Sequence, residues 1–362
     1  MKKLLPVIIA CMALVACGGG SGSGGGGNNN NSVTNEKAKK LPLTDLQQER
    51  LSDKVVSVRQ RVYWAVEKFG RIDKGKLQNL PVQDYLKVYD NEGYLIEETH
   101  YDVSEKVVSY KKINYNAAHK ITMEETYKES LLSERIVYTY DDNNRLVKKE
   151  KFDGEGKIKE WMQYTYGKNN LVEDEDWYKA DGALNCKYIH VYDNAQRLTE
   201  KQKYWGGGSL AQKEYYYYEN TGSNLKETAS EKFKNKESSF DYRFVFNDYN
   251  SFGDYGEKKQ YNEDGDEIAI TTNTYNNLGH LTESTVITIK TVNAPTSTED
   301  DTETETDNTS ITKLEQTGQA YEYGYDSSNN WTQKVTYKIS GNDDSFKKDR
   351  QFYYERIIKY KE

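Results

Sequence analysis

Arg135-Ile136-Val137-Tyr138-Thr139-Tyr140-Asp141-Asp142-Asn143-Asn144-Arg145-Leu146 is the stretch that decides the fold. Ile136, Tyr138 and Tyr140 alternate with Arg135, Val137 and Thr139, the period-two pattern of a strand with one more apolar face. Asp141 to Asn144 then supply residues that bond their own backbone and accept left-handed angles, as a tight hairpin turn requires. Leu146 restarts an extended run that closes at Phe152, before a second turn at Asp153-Gly154-Glu155-Gly156. Read outward, the same aromatic returns as Tyr63, Tyr89, Tyr115, Tyr166, Tyr192, Tyr218, Phe246, Tyr275 and Tyr325, at spacings of about 26 residues stretched near the end.

That makes about ten units, each reading as two strands and two turns. Asp or Asn usually follows the aromatic, as in Asp90, Asn116, Asp193 and Asp326. An apolar residue comes next, as in Leu95, Ile121 and Leu198, and a second aromatic after it, as in Tyr101, Tyr127, Tyr178 and Tyr204. Met162, Tyr164 and Tyr166 repeat the face of Ile136, Tyr138 and Tyr140 one unit on. Aromatics then stack across strands, each pair contributing roughly 0.2–1 kcal/mol. The expected fold is all-β, a long antiparallel meander forming a twisted or curled open sheet, with a closed barrel or sandwich as the alternative. Some twenty strands is too many for a flat open sheet.

Composition agrees. Leu, Ile, Val and Phe make up only about a fifth of the 362 residues, near the range of disordered chains. The 32 Tyr reverse that reading, because disordered chains are poor in aromatics and Tyr suits a pleated, half-buried surface. The formal net charge of -8, with Lys and Glu interspersed, lacks the basic patch of a nucleic-acid surface, so no nucleic-acid partner is expected.

The N-terminus reads as a targeting segment. Lys2 and Lys3 precede an apolar run from Leu4 to Val15, too short for a membrane span. Leu14-Val15-Ala16-Cys17 resembles the lipobox of bacterial lipoproteins. The resemblance implies a signal peptide over 1–16, cleavage before Cys17 and a lipid on its sulfur. The chain's membrane partner is then the bilayer that holds this lipid. By the same likeness, Gly18 after the Cys favours the outer membrane, with the side it faces left open. Residues 17–40, rich in Gly, Ser and Asn up to Asn31, read as a tether. The β-repeat domain follows over 41–362. Leu43, Leu46 and Leu51 allow a short helix before it, and a Thr-, Glu- and Asp-rich insertion interrupts it at 293–310. With Cys11 in the signal and Cys17 in the anchor, Cys186 has no partner for a disulfide.

The units resemble the YD repeats of the RHS family. Tyr140-Asp141 with Arg145-Leu146, Tyr192-Asp193 with Arg197-Leu198, and Tyr89-Asp90 with Gly93 and Leu95 carry the likeness. Tyr325-Asp326 through Trp331-Thr332, followed by Glu355-Arg356, resembles a unit of Bacteroides-type lipoproteins of unassigned function. The resemblance spans roughly Val55 to the end and implies β-architecture. Large RHS proteins wind such repeats into a hollow shell around a toxin, so enclosure of a partner polypeptide is an alternative role. Gly167 and Glu219 depart from the Asp of the pattern.

Few residues point to chemistry. His100, His119, His190 and His280 are scattered one to a unit, without metal-ligand spacing. Asn262 to Glu267 is acidic but falls where the repeat demands a turn. Paired carboxylates run glycoside hydrolysis, yet the acids here are scattered. No enzyme activity, metal or cofactor is expected. Trp161, out of phase with the aromatic stripe, and Trp205, before Gly206-Gly207-Gly208, are the candidate ligand-stacking aromatics. The expected function is a non-catalytic binding or structural module of the envelope, for glycan or protein.

Overall fold

A computed structural model of the chain describes residues 43–80, 82–219, 222–293, 310–342 and 345–361. Cys17, the signal over 1–16, the tether over 17–40 and residues 294–309 of the acidic insertion lie outside the described residues.

Among the described residues one helical turn, α1 (Asp45–Gln48), precedes 21 strands. The first group is β1 (Val55–Lys68), β2 (Arg71–Leu77), β3 (Tyr85–Tyr89), β4 (Leu95–Tyr101), β5 (Val107–Tyr115), β6 (Ile121–Lys128) and β7 (Leu131–Tyr140). The wall continues with β8 (Leu146–Asp153), β9 (Ile158–Tyr166), β10 (Val172–Lys179), β11 (Leu184–Tyr192), β12 (Leu198–Trp205), β13 (Leu210–Tyr218) and β14 (Leu225–Lys234). It ends with β15 (Glu237–Asn247), β16 (Glu257–Tyr261), β17 (Glu267–Tyr275), β18 (Leu281–Asn293), β19 (Ser310–Tyr325), β20 (Trp331–Asn342) and β21 (Ser345–Tyr360).

The turns explain the meander. The Asp193 Oδ1 accepts the backbone N–H of Ala195 and Arg197, both at 2.9 Å. Asp90, Asp141 and Asp326 do the same in their own units. The fourth residue of each turn takes positive φ, as at Gly93, Asn144, Gln196 and Asn329. That is the three-residue hairpin loop with a bulge, which fixes register. The preceding Tyr ties each unit to the one before. The hydroxyls of Tyr115, Tyr140, Tyr166, Tyr192 and Tyr218 donate to the carbonyls of Leu95, Ile121, Leu146, Val172 and Leu198, at 2.7–2.9 Å. Arg197 adds a forward tie, bonding Asp193, reaching the Gly222 carbonyl at 2.8 Å and lying over the Tyr218 ring. Tyr192→Phe is expected to cost about 1 kcal/mol, the net worth of one such bond. Hydrogen exchange should speed up in β9 to β11 and leave β19 to β21 unchanged, because repeat arrays are held by nearest neighbours.

The open sheet expected from the sequence is corrected here. The sheet is a closed 20-strand antiparallel barrel with one strand outside it. β1 closes the ring, pairing with β21 from Val55↔Tyr360 to Trp64↔Phe352 on one edge and with β3 from Ser57↔Val88 to Gln60↔Tyr85 on the other. β2 pairs only with the far half of β1, Tyr63 to Lys68, and leans outward toward β21, where Lys74 meets Glu355 at 2.6 Å. Ring closure removes the two long edges that an open sheet of this size would expose.

The apolar core follows the closure. Val55, Val58, Val62 and Ile339 are fully buried, and Leu46, Tyr85, Tyr89, Trp331, Tyr353 and Tyr354 join them. Across the long wall from β5 to β18 the buried hydrophobics are Ile113, Cys186 and Ala211 alone, among the described residues. Both faces of that wall are wet.

The 43–54 segment shows which face is inside. Thr44 and Gln47 cap α1 reciprocally, and the Leu46 N–H donates to the Gly93 carbonyl of the β3–β4 turn. Arg50 pairs with Asp254 before β16, and the Ser52 N–H donates to Asn330 of the β19–β20 turn. Between the Gly93 and Asp254 contacts lie β3, β1, β21, β20, β19, β18, β17 and β16, an arc of roughly 38 Å at sheet spacing. Leu46 and Arg50 are one helical turn apart, about 6 Å. The segment is therefore a chord across one mouth of the barrel, which is pinched there. The face it packs on, that of Val55, Val58, Tyr85 and Tyr89, is the inner one.

Strand register carries that face around the ring. It takes in Tyr138, Tyr164, Tyr188, Tyr216 and Tyr242, and returns through Tyr323, Lys334, Tyr354 and Arg356 to Gln60. The outer face carries ion pairs between strands: Arg135–Glu125, Lys187–Asp174, Lys213–Glu200 and Arg243–Glu227. A lipid-facing barrel wall would lose about 2–4 kcal/mol for each such Lys or Arg at the bilayer midplane. This wall is built for water.

Candidate functional site

The lumen is an aromatic surface set with charges. Lys149 lies over the Tyr138 ring, Lys201 and Lys203 over Tyr188, and Lys258 over Phe244, at 4.4–5.6 Å. Glu214 accepts the Tyr216 hydroxyl at 2.8 Å and the Tyr242 hydroxyl at 3.3 Å, and Glu124 accepts that of Tyr138 at 2.9 Å. Burial pushes the Tyr188 and Tyr242 hydroxyls up to about 12, and those of Tyr138, Tyr164 and Tyr216 higher still. Burial also lowers the Lys258 ammonium. A ring of eight strands is filled by its own side chains, whereas rings of sixteen or more leave a water-filled passage.

Where the ring closes, the inner face opens into a cleft of about 420 Å³. Gln60, Gln83, Tyr85, Gln319, Tyr321, Lys334, Thr336, Tyr354 and Arg356 line it. β1, β3, β19, β20 and β21 each bring residues to it, and Gln83 comes from the connection after β2. Arg356 is braced: its Nε donates to the Gln60 Oε1 at 3.0 Å, one terminal nitrogen donates to the Tyr85 hydroxyl at 2.8 Å, and its guanidinium lies 3.5 Å over Trp331. Gln60 is held by the Gln83 carbonyl, and the Tyr354 hydroxyl donates to the Gln83 Oε1.

Lys334 sits among three rings, 4.2 Å from Tyr354, 5.1 Å from Trp331 and 5.9 Å from Tyr321. Burial, and then the charge of Arg356, lower its ammonium from 10.5 to about 8. No carboxylate pairs with it among the described residues, and no acid lines the cleft. At pH 8 Lys334 is therefore uncharged far more often than an ordinary lysine. It is expected to be acylated ahead of the surface lysines by limiting reagent at that pH, as read by peptide mass mapping.

No protein-family model matches the chain, and no curated protein matches it. Among solved structures the chain is similar to the TcdB2-TccC3-Cdc42 complex, at 9% identity and TM-score 0.38 over 83% of this chain and 17% of that one. It is similar to the Tc holotoxin pore of Photorhabdus luminescens, at 10% identity and TM-score 0.37 over 81% of this chain and 16% of that one. A porin-like protein from Bacteroides uniformis is similar at 10% identity and TM-score 0.28, over 84% of this chain and 96% of that one. The chain thus spans under a fifth of the two toxin chains.

The structure keeps the two candidate tryptophans apart. Trp161 is on the outer face, stacked on Tyr178 at 3.8 Å. Trp205 pairs with Cys186 on the opposite face, half-exposed beside Lys203. Cys186 is buried, and burial raises its thiol. His190 faces Lys201 across the inner ladder, and burial lowers it. Asn262 bonds the Asp266 N–H and so builds a turn. Lys334, Arg356 and Gln60 were not distinguishable in the sequence. Arg356 meets Gln60 only because the last strand returns to the first. The one local signal is Trp331, whose ring takes both cations.

Proposed function

We propose that this protein is an envelope lipoprotein, anchored through Cys17, that binds without catalysis and receives a glycan or an extended polypeptide in its barrel. The observation that carries the reading is the inner wall. It repeats flat rings flanked by Lys, Glu and hydroxyl groups, as at Tyr188 with Lys201 and Tyr216 with Glu214. Binding sites commonly combine aromatic area with a few fixed polar groups in this way. The charged outer wall suits a body standing in water and held to the membrane by its lipid rather than by its strands. Isothermal titration of the full chain against neutral and acidic glycans and envelope peptides tests the reading. Binding that is lost on Tyr188→Ala and kept on Trp161→Ala supports it. Silence across the panel overturns it.

Ring closure favours a second reading, in which the barrel encloses a partner polypeptide. A stoichiometric partner in pulldowns from envelope extract, protected from protease while bound, is the expected result. Recovery of the bare chain would sink this version. Protease shaving of intact cells then reports which side of the outer membrane the barrel occupies.

A further inference from the structure

We propose that the cleft at the ring closure binds the carboxylate of an acidic sugar, with Lys334 and Arg356 as its cationic clamp and the surrounding rings as a platform for the sugar. The inference rests on the reading of the lumen as a binding surface and names a ligand class for one part of it.

The first argument is charge. Buried charges are ordinarily paired, since removing an ion from water costs several kcal/mol. The cleft places two cations on one indole ring, Arg356 at 3.5 Å and Lys334 at 5.1 Å, and supplies no acid. The nearest equivalent on this face, Lys87, has its own partner in Glu49 at 2.6 Å. Lys334 has none among the described residues, so the clamp is complete only when an anion arrives.

The second argument is hydrogen-bonding capacity. Most acceptors in the cleft are already used: the Gln60 Oε1 by Arg356 and Tyr85, the Gln83 Oε1 by Tyr354, and the Gln319 Oε1 by Tyr321, which leaves the amide of Gln351, also on the lining, with its own acceptor and donors. The Thr336 Oγ1 accepts the Phe352 N–H. What remains is a surplus of donors: the three of Lys334, the second terminal nitrogen of Arg356, and the amide NH₂ groups of Gln83 and Gln319. A site that offers donors in excess is complementary to a ligand rich in acceptors.

The third argument is shape and surface. About 420 Å³ lies within the range of small-molecule sites, and it exceeds what a bare inorganic anion fills. Aromatic rings line it beside amides, an environment for a flat, hydroxylated ring with one charged group. Together these features select a carboxylated sugar over a neutral one and over a free anion.

The test is isothermal titration of the full chain with glucuronate, glucose and inorganic phosphate, repeated on Lys334→Met and Lys334→Arg. Glucuronate should bind, glucose at least tenfold more weakly. Lys334→Met should lose tenfold or more, and Lys334→Arg should recover most of the loss. Thermal unfolding of each variant shows that the fold is intact. Equal binding of glucose and glucuronate would overturn the proposal, as would unchanged glucuronate binding in Lys334→Met. Phosphate binding as tightly as glucuronate would overturn the sugar assignment. If neutral glycans bind at Tyr188 while glucuronate does not bind here, this inference fails and the broader reading of the lumen stands.

Discussion

Raising the pH from 10 to 12 is expected to unfold this protein in one cooperative step. An unfolded tyrosine ionises near 10. In the folded barrel, burial holds the hydroxyls of Tyr188, Tyr242, Tyr249, Tyr275, Tyr337 and Tyr354 up to about 12, and others higher. Between those values the folded chain binds more protons than the unfolded one, so stability falls as pH rises. Below pH 10 this stabilisation is fully present, and it is lost as the pH passes through the folded values. Allowing for partial exposure, each such tyrosine removes on the order of 1–2 kcal/mol by pH 12. The six named here together remove on the order of 6–12 kcal/mol, comparable to the 5–15 kcal/mol that a domain usually holds in reserve. Tyrosinate absorbance should therefore rise in a step that coincides with loss of the β circular dichroism. Gradual titration around pH 10 with the fold intact would contradict this account. Tyr242→Phe should move the midpoint upward.

The second large effect is a gain. Lys334→Met is expected to stabilise the protein at neutral pH by about 1–3 kcal/mol. The native ammonium is half-buried among aromatic rings without a carboxylate, and methionine fills the same space without charge. The gain is fully present below about pH 8 and fades as the pH rises toward 10.5, where both states hold a neutral amine. Urea unfolding at pH 7 and at pH 10.5 measures both ends. If Lys334 served only to support packing, its replacement would destabilise, and by the same amount at both values. A residue that weakens the fold while completing a binding site is the usual trade between stability and function.

What the sequence disclosed and what it withheld divide by distance along the chain. Strands and turns were legible because their causes are local. Asp141 and Asn144 make their turn within four residues, and Tyr140 reaches one unit back to Ile121. The helical turn was legible in part: a short helix is present, but of the three leucines only the buried Leu46 lies in it. Thr44 and Gln47 form a capping box that a reading by leucine spacing passes over. Closure was legible only as an alternative, suggested by the number of strands and not by any local pattern. It depends on Val58 meeting Ile358 and Gln60 meeting Arg356, pairings that no local pattern distinguishes from those of an edge strand. The cleft shares that fate, since it exists only where the ends of the chain meet. Trp161 and Trp205 stand out by their phase against the aromatic stripe and by the Gly-rich loop after Trp205, whereas Lys334 and Arg356 look like any other charges in a lysine-rich chain.

The strand left outside the ring has an arithmetical meaning. A circle of strands that are antiparallel at every joint must hold an even number, and the described residues make 21. With β2 set aside, 20 remain and the last joint, β1 to β21, closes antiparallel like the rest. Circumference is therefore quantised. Growth by a whole unit of about 26 residues preserves the joint, while growth by half a unit would force a parallel one and the long crossover it requires. Barrels built on this plan should come in sizes two strands apart, each with an odd strand or none to spare.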